Sequence, residues 1–156
     1  MTSNLSQFIK FLKEEISENQ ISSANTFDVI DPRDRLVNKS EICVKPKNTQ
    51  EISKILKLAN KFIIPIIPIG GSTGLVGGQI ALQSNHVTLS LEKLDTINFF
   101  KDSNLLYVQS GAILSNIKKL AFNNGRLFPL SLASEGSCQI GGNLATNAGG
   151  LNVIKY

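Results

Sequence analysis

Leu5, Phe8, Ile9, Leu12 and Ile16 recur at the i, i+3, i+4, i+7 spacing of one helical face, which predicts an amphipathic helix over 4–18. Residues 20–40 show no period and contain the turn signal Asp31-Pro32-Arg33-Asp34, so a loop across the surface is expected there. Ile42, Cys43 and Val44 form a short apolar run stopped by Pro46, and Asn48 with Glu51 three residues later resembles a capping box opening the next helix. Ile52, Ile55, Leu56 and Ala59 then share one helical face, and 62–67 predicts a second strand rich in β-branched residues. Strand, helix and strand in this order form a βαβ unit, whose two strands should run parallel.

Beyond this unit, 86–91, 97–100 and 105–110 read as three more strands, the last two joined as a hairpin across Lys101-Asp102-Ser103-Asn104. Leu114, Ile117, Leu120 and Ala121 mark another helix, with Gly125 where a C-terminal cap belongs. No closing element is expected before Tyr156.

Composition narrows the class. The 156 residues are 42% hydrophobic and 18% charged, the balance of a soluble globular domain rather than a disordered one. A net charge of +4 comes from scattered residues with no long basic run, which argues against nucleic acid as the partner and is compatible with a ligand carrying phosphates. Cys43 and Cys138 make neither a metal set nor a disulfide framework, and both are expected to be reduced and buried. The longest apolar run, 62–69, carries two prolines and is too short to span a bilayer. The first twenty residues, with Glu14, Glu15 and Glu18, do not resemble a secretory signal, so a cytoplasmic location is expected.

Two segments stand out. The first, 68–79, holds five glycines between Gly70 and Gly78. Glycines allow several backbone N–H groups to turn toward one anion and let its oxygens approach closely. A Walker A loop would need Lys after the last glycine, where Gln79 stands, and the G-x-G-x-x-G spacing of a Rossmann fingerprint is absent. The second segment, 133–150, mixes glycine pairs with Ser, Thr and Asn side chains that can bond the polar edge of a flat ligand. The plain alternatives are a flexible connection for the first and close packing contacts for the second. His86, Tyr107 and Tyr156 are read as structural residues, and Lys118 and Lys119 as a solvated helix face.

Together these residues resemble the FAD-binding (PCMH-type) domain of the vanillyl-alcohol oxidase family. Pro129-Leu130-Ser131-Leu132, Gly136-Ser137-Cys138 and Ile140-Gly141-Gly142-Asn143 are most similar to its D-2-hydroxy-acid dehydrogenase branch, which includes D-2-hydroxyglutarate dehydrogenases, D-lactate dehydrogenases and glycolate oxidase flavin subunits. The likeness covers about 42–156. It implies an α+β fold in two lobes: a small parallel βαβ lobe over 41–95 and the start of a mainly antiparallel lobe over 96–156, with FAD between them and an N-terminal helix and loop over 1–40.

The resemblance further implies that Gly70, Gly71, Ser72, Thr73, Gly74, Gly78 and Gln79 wrap the FAD pyrophosphate. Ser137, Gly141, Gly142, Asn143, Thr146 and Asn147 would run beside pyrophosphate and flavin. Ser72 stands where some relatives attach flavin through His, so FAD should be held non-covalently. Where relatives often open a helix with Thr, this chain has Ile113, and Ser131 replaces a common Asp.

The implied reaction moves a hydride from C2 of a D-2-hydroxy acid to flavin N5, with electrons leaving to an acceptor of unidentified class. Substrate-clamping cations, the base and any metal belong to a substrate domain lying outside this chain, so no catalytic or metal-binding residue is assigned here. The chain alone is expected to be inactive, and a second polypeptide is one source for the rest. The alternatives are a noncatalytic nucleotide-binding module and a nonfunctional truncated gene product.

Overall fold

The structure is a computed structural model that describes residues 3–23 and 29–156. It divides into two compact units, Met1–Lys93 and Leu94–Tyr156. The first contains α1 (Ser3–Glu15), a 3₁₀ turn (Glu18–Gln20), β1 (Ile21–Ser23), β2 (Ile42–Val44), α2 (Thr49–Phe62), β3 (Ile66–Ile69) and β4 (Val87–Ser90). The second contains β5 (Ile97–Phe100), β6 (Leu105–Val108), α3 (Leu114–Asn123) and α4 (Ile140–Ala145).

In the first unit the strand order is β1-β2-β4-β3. β2 and β3 each pair in parallel with β4, so the βαβ strands are parallel as expected but have β4 inserted between them. Leu5, Phe8, Leu12 and Ile16 meet Ile55 and Ala59 of α2 over Ile42, Val44, Val87 and Leu89 of the sheet.

Helix α1 ends at Glu15, short of residue 18, because Ser17 is extended and its N–H is taken by Gln20 Oε1 at 3.1 Å. The buried Gln20 amide also donates to Lys45 O and to Glu51 Oε2, tying this turn to the start of α2. That anchor leads into β1, which pairs antiparallel with β2 in the region expected to be loop. Three residues are too few to show a period, and the pairing rather than local preference makes them a strand.

Asn48 caps α2 by accepting from Glu51 N at 2.8 Å. Only half of the box forms, since the Glu51 carboxylate takes Lys47 N and the Gln20 amide instead of Asn48 N. The buried face of α2 is rotated from the expected one: Ile55 and Ala59 are buried with Leu58 and Phe62 against the core, while Leu56 is 46% exposed. The helix also runs through Phe62, and Ile63 leaves it in the left-handed region at φ 55°, so β3 begins at Ile66 rather than at 62. For a β-branched residue that conformation costs on the order of 1–2 kcal/mol.

In the second unit β5 and β6 form the expected antiparallel hairpin, although β6 stops at Val108. Ala112, Ile117 and Ile140 make a small core with Ile97, Leu106, Val108 and Phe128. Gly125, at φ 68°, closes α3 with its N–H on Phe122 O. Ile113 gives no side-chain cap to α3. Instead Leu114 N donates to Cys138 O at 3.1 Å and Ser115 N to Glu135 O at 2.9 Å. Lys118 pairs with the Glu135 carboxylate, so it is no free solvated lysine. Tyr107 and Tyr156 are exposed rather than packed.

Because Ile55 has no exposed surface, Ile55→Ala should destabilise the protein by about 2–5 kcal/mol in urea unfolding. Leu56→Ala should stay within about 1 kcal/mol of the parent, which distinguishes this face from the one the periodicity indicates.

Candidate cofactor site

The first glycine segment leaves the sheet at the end of β3. Among the described residues, no backbone N–H from Gly70 through Gln79 donates to a protein acceptor. The chain bends through left-handed conformations at Ser72 (φ 54°) and Gly77 (φ 78°). Gly70, Gly71, Ser72 and Thr73 are half-buried, Gly74 and Gly78 exposed, and Gln79 buried.

The loop's side chains are turned to the protein. Ser72 Oγ accepts from Ile30 N at 3.1 Å and donates to Ile30 O at 2.9 Å. Gln79 Nε2 donates to Ile30 O at 3.1 Å and to Gly74 O at 2.9 Å. Arg35 Nη2 donates to Leu75 O at 2.6 Å. At Gly77 a side chain would collide with Leu36, whereas at Gly78 it would meet nothing within 4 Å.

Segment 29–36 is itself organised by the buried carboxylate of Asp31. It accepts from the backbone N–H groups of Arg33 (3.2 Å), Arg35 (3.0 Å) and Leu36 (3.1 Å), with Arg35 Nε 3.5 Å away. Burial pushes this carboxyl up, but the N–H groups of Arg33 and Arg35, the Arg35 charge and the Leu36 N–H together hold it below the usual carboxylate range. Sequence reading gave Asp31 only a turn, and the signal available was an Asx-turn residue ahead of two arginines.

The second segment begins with turns and becomes helix α4, which its small residues did not announce. Gly141 is a packing residue: its N–H donates to Ser110 O at 2.9 Å, and a Cβ there would lie 2.7 Å from Ser110 Cβ. Gly142 is the opposite case, exposed, with no acceptor for its N–H among the described residues and nothing within 4 Å of an added Cβ. Asn143 is buried, with Nδ2 3.5 Å from Cys138 Sγ and Oδ1 unpartnered. Gln139 Oε1, not singled out by the sequence, is a second buried oxygen without a partner. Ser137 and Thr146 are exposed and bond backward to Ser134 O and Gly142 O, while Asn147 is exposed and left-handed at φ 51°.

Chemically, the N–H groups of 70–79, without protein acceptors among the described residues, suit a multiply charged anion, and Gly78 and Gly142 each leave open space beside their own backbone. These features fit the diphosphate of a dinucleotide such as FAD. Burial pushes the Cys43 thiol up to about 11, which Lys45 only partly offsets, so it is no nucleophile at neutral pH. Among the described residues, no group of three or more His, Cys, Asp or Glu could hold a metal ion, and no helix is long and apolar enough to cross a membrane.

A parallel-sheet unit and a hairpin-and-helix unit, each carrying one of these segments, make up the fold of a PCMH-type FAD-binding domain. The fold matches an alkyldihydroxyacetonephosphate synthase structure with a TM-score of 0.84 at 21% identity, over 97% of this chain and 33% of that one. Residues 40–156 match the family described as FAD binding domain, and the chain belongs to that family. It is 35% identical over 159 residues to a mitochondrial D-2-hydroxyglutarate dehydrogenase of Arabidopsis thaliana, covering 97% of this chain and 28% of the relative. With a D-2-hydroxyglutarate dehydrogenase of Xanthomonas citri it shares 39% over 112 residues, 71% of this chain and 24% of the relative. The chain thus spans about a quarter of the length of the curated relatives it matches.

The two adjacent glycines should respond differently to alanine. Gly141→Ala should lose about 1–3 kcal/mol of stability through its clash with Ser110, and Gly142→Ala should melt within a few degrees of the parent in a thermal scan.

The depressed Asp31 carboxyl contributes stability that is present above the unfolded Asp value, about pH 4, and is lost as pH falls through the lower folded value. Asp31→Asn should therefore be less stable at pH 7 and show a shallower fall in melting temperature below pH 4.

Proposed function

We propose that this chain is the cofactor-gripping part of a flavoprotein that oxidises a D-2-hydroxy acid of the D-2-hydroxyglutarate, D-lactate or glycolate class. The observation that carries the reading is the loop 70–79, whose backbone N–H groups have no protein acceptor among the described residues. When bound, FAD supplies a two-electron acceptor for the hydrogen removed from C2 of the substrate.

The chain's own contribution is binding and orientation. The N–H groups of Gly70, Gly71, Ser72, Thr73, Gly74 and Gly78 would be available to hold the diphosphate. Ser72 and Gln79 act through the bonds that hold the loop, and the Ser72 hydroxyl, already committed to Ile30, supports non-covalent retention. Gly142 and its neighbours Asn143, Thr146 and Asn147 contribute backbone and amide groups along the ligand, with Gly141 and Ser137 shaping the segment. The substrate's carboxylate clamp and the base for its hydroxyl belong, in this reading, to a substrate domain outside these residues. A cytoplasmic location is retained as part of the proposal, although the Arabidopsis relative's name places that protein in mitochondria; cell fractionation decides it.

The test is a flavin titration followed by substrate. Expressed with whatever coding sequence continues its reading frame, the protein should purify yellow, and one of D-2-hydroxyglutarate, D-lactate or glycolate should bleach the flavin. The 156 residues alone should hold FAD weakly or not at all and reduce no dye. A yellow protein that none of these acids bleaches would favour the noncatalytic nucleotide-binding module, and failure of the longer protein to take up FAD would end the reading.

A further inference from the structure

Segment 30–39 runs beside the glycine loop in the same direction, contact by contact. Ile30 meets the Ser72 hydroxyl, Arg35 reaches Leu75 O, and Leu36 fills the space a side chain at Gly77 would need. Farther along, Lys39 N donates to Ala81 O at 2.7 Å and Ala81 N to Asn38 Oδ1 at 3.0 Å. Up to Gln79 these bonds use carbonyls or side chains of the loop and, among the described residues, none uses a loop N–H, whereas beyond it Ala81 bonds through both its carbonyl and its N–H. The segment is shaped in turn by three N–H groups gathered on the buried Asp31 carboxylate.

From this arrangement we infer that segment 30–39 is a strap that sets the shape of the 70–79 loop in advance, with the side chains of Asp31, Ser72 and Gln79 positioning the loop rather than touching the cofactor. A loop of glycines is intrinsically mobile, and an anion site built from it binds weakly in proportion to the time the loop spends misfolded. Tying the loop through its acceptors orders it while leaving its donors available. The cofactor-binding role of the loop rests on the function proposed above, whereas the strap's control of loop shape does not.

The test uses the full chain without flavin, comparing ¹⁵N relaxation of the Gly70, Gly71, Gly74, Gly77 and Gly78 amides in the parent and in Asp31→Asn, Ser72→Ala and Gln79→Leu. Order parameters of these amides should fall from the rigid range, about 0.85, to below about 0.6 in the variants. Those of Val44, Ile55 and Val87 should stay at parent values, a pattern that general loss of folding would not give. FAD affinity, measured on the same proteins joined to their continuing sequence, should weaken about tenfold if the ordered loop becomes one conformation in ten. Unchanged loop amides in all three variants would overturn the strap, as would loss of order in loop and core together in all three. A parent that takes no FAD would overturn the cofactor reading while the relaxation data still decide the strap.

Discussion

A backbone segment that is to bind an anion must keep its N–H groups unbonded, yet a segment without such bonds has little to hold it in place. Loop 70–79 meets both demands by separating donors from acceptors. Its carbonyls at Gly74 and Leu75 and its side chains at Ser72 and Gln79 are bonded, while its N–H groups have no protein acceptor among the described residues. Buried or crowded backbone donors are normally paired. Among the described residues the loop's N–H groups lack protein acceptors while its Gly74, Leu75 and Gly77 carbonyls are bonded, an arrangement suited to a ligand that brings its own acceptors. The parallel sheet matters chiefly because it fixes where this loop begins, at the end of β3, and because β4 between β2 and β3 fixes the strand before it.

The second unit divides the same labour between neighbouring residues. Gly141 is small so that the chain can press against Ser110, and Gly142 is small with nothing against it. The plain reading of the second segment, close packing, thus accounts for Gly141 of this pair and does not account for Gly142. Gln139 Oε1 and Asn143 Oδ1, both buried and lacking donors, are the polar groups that protein contacts in this unit leave unsatisfied.

What the sequence made legible were features with a local cause. The apolar stripe of α1, the Asn48 cap, the hairpin across residues 101–104 and the Gly125 turn each follow from neighbours a few positions apart. The misplaced features have distant causes. β1 exists because β2 pairs with it, and Leu56 is exposed because α1 and the sheet select a different stripe of α2. The glycine segments themselves were visible by composition. The side-chain roles of Ser72 and Gln79 were not, because their partner is Ile30, more than forty residues away and in a stretch with no pattern.

The start of α3 lacks a capping side chain and borrows carbonyls from Glu135 and Cys138, which come later in the chain than the whole helix. A ribosome releases residues 114–123 well before it releases those acceptors. Before then the leading amides of the helix can bond only water, and they gain these protein acceptors once the second glycine segment has emerged and folded back. The first turn of the helix and the second segment therefore support each other, each supplying one side of the same two hydrogen bonds.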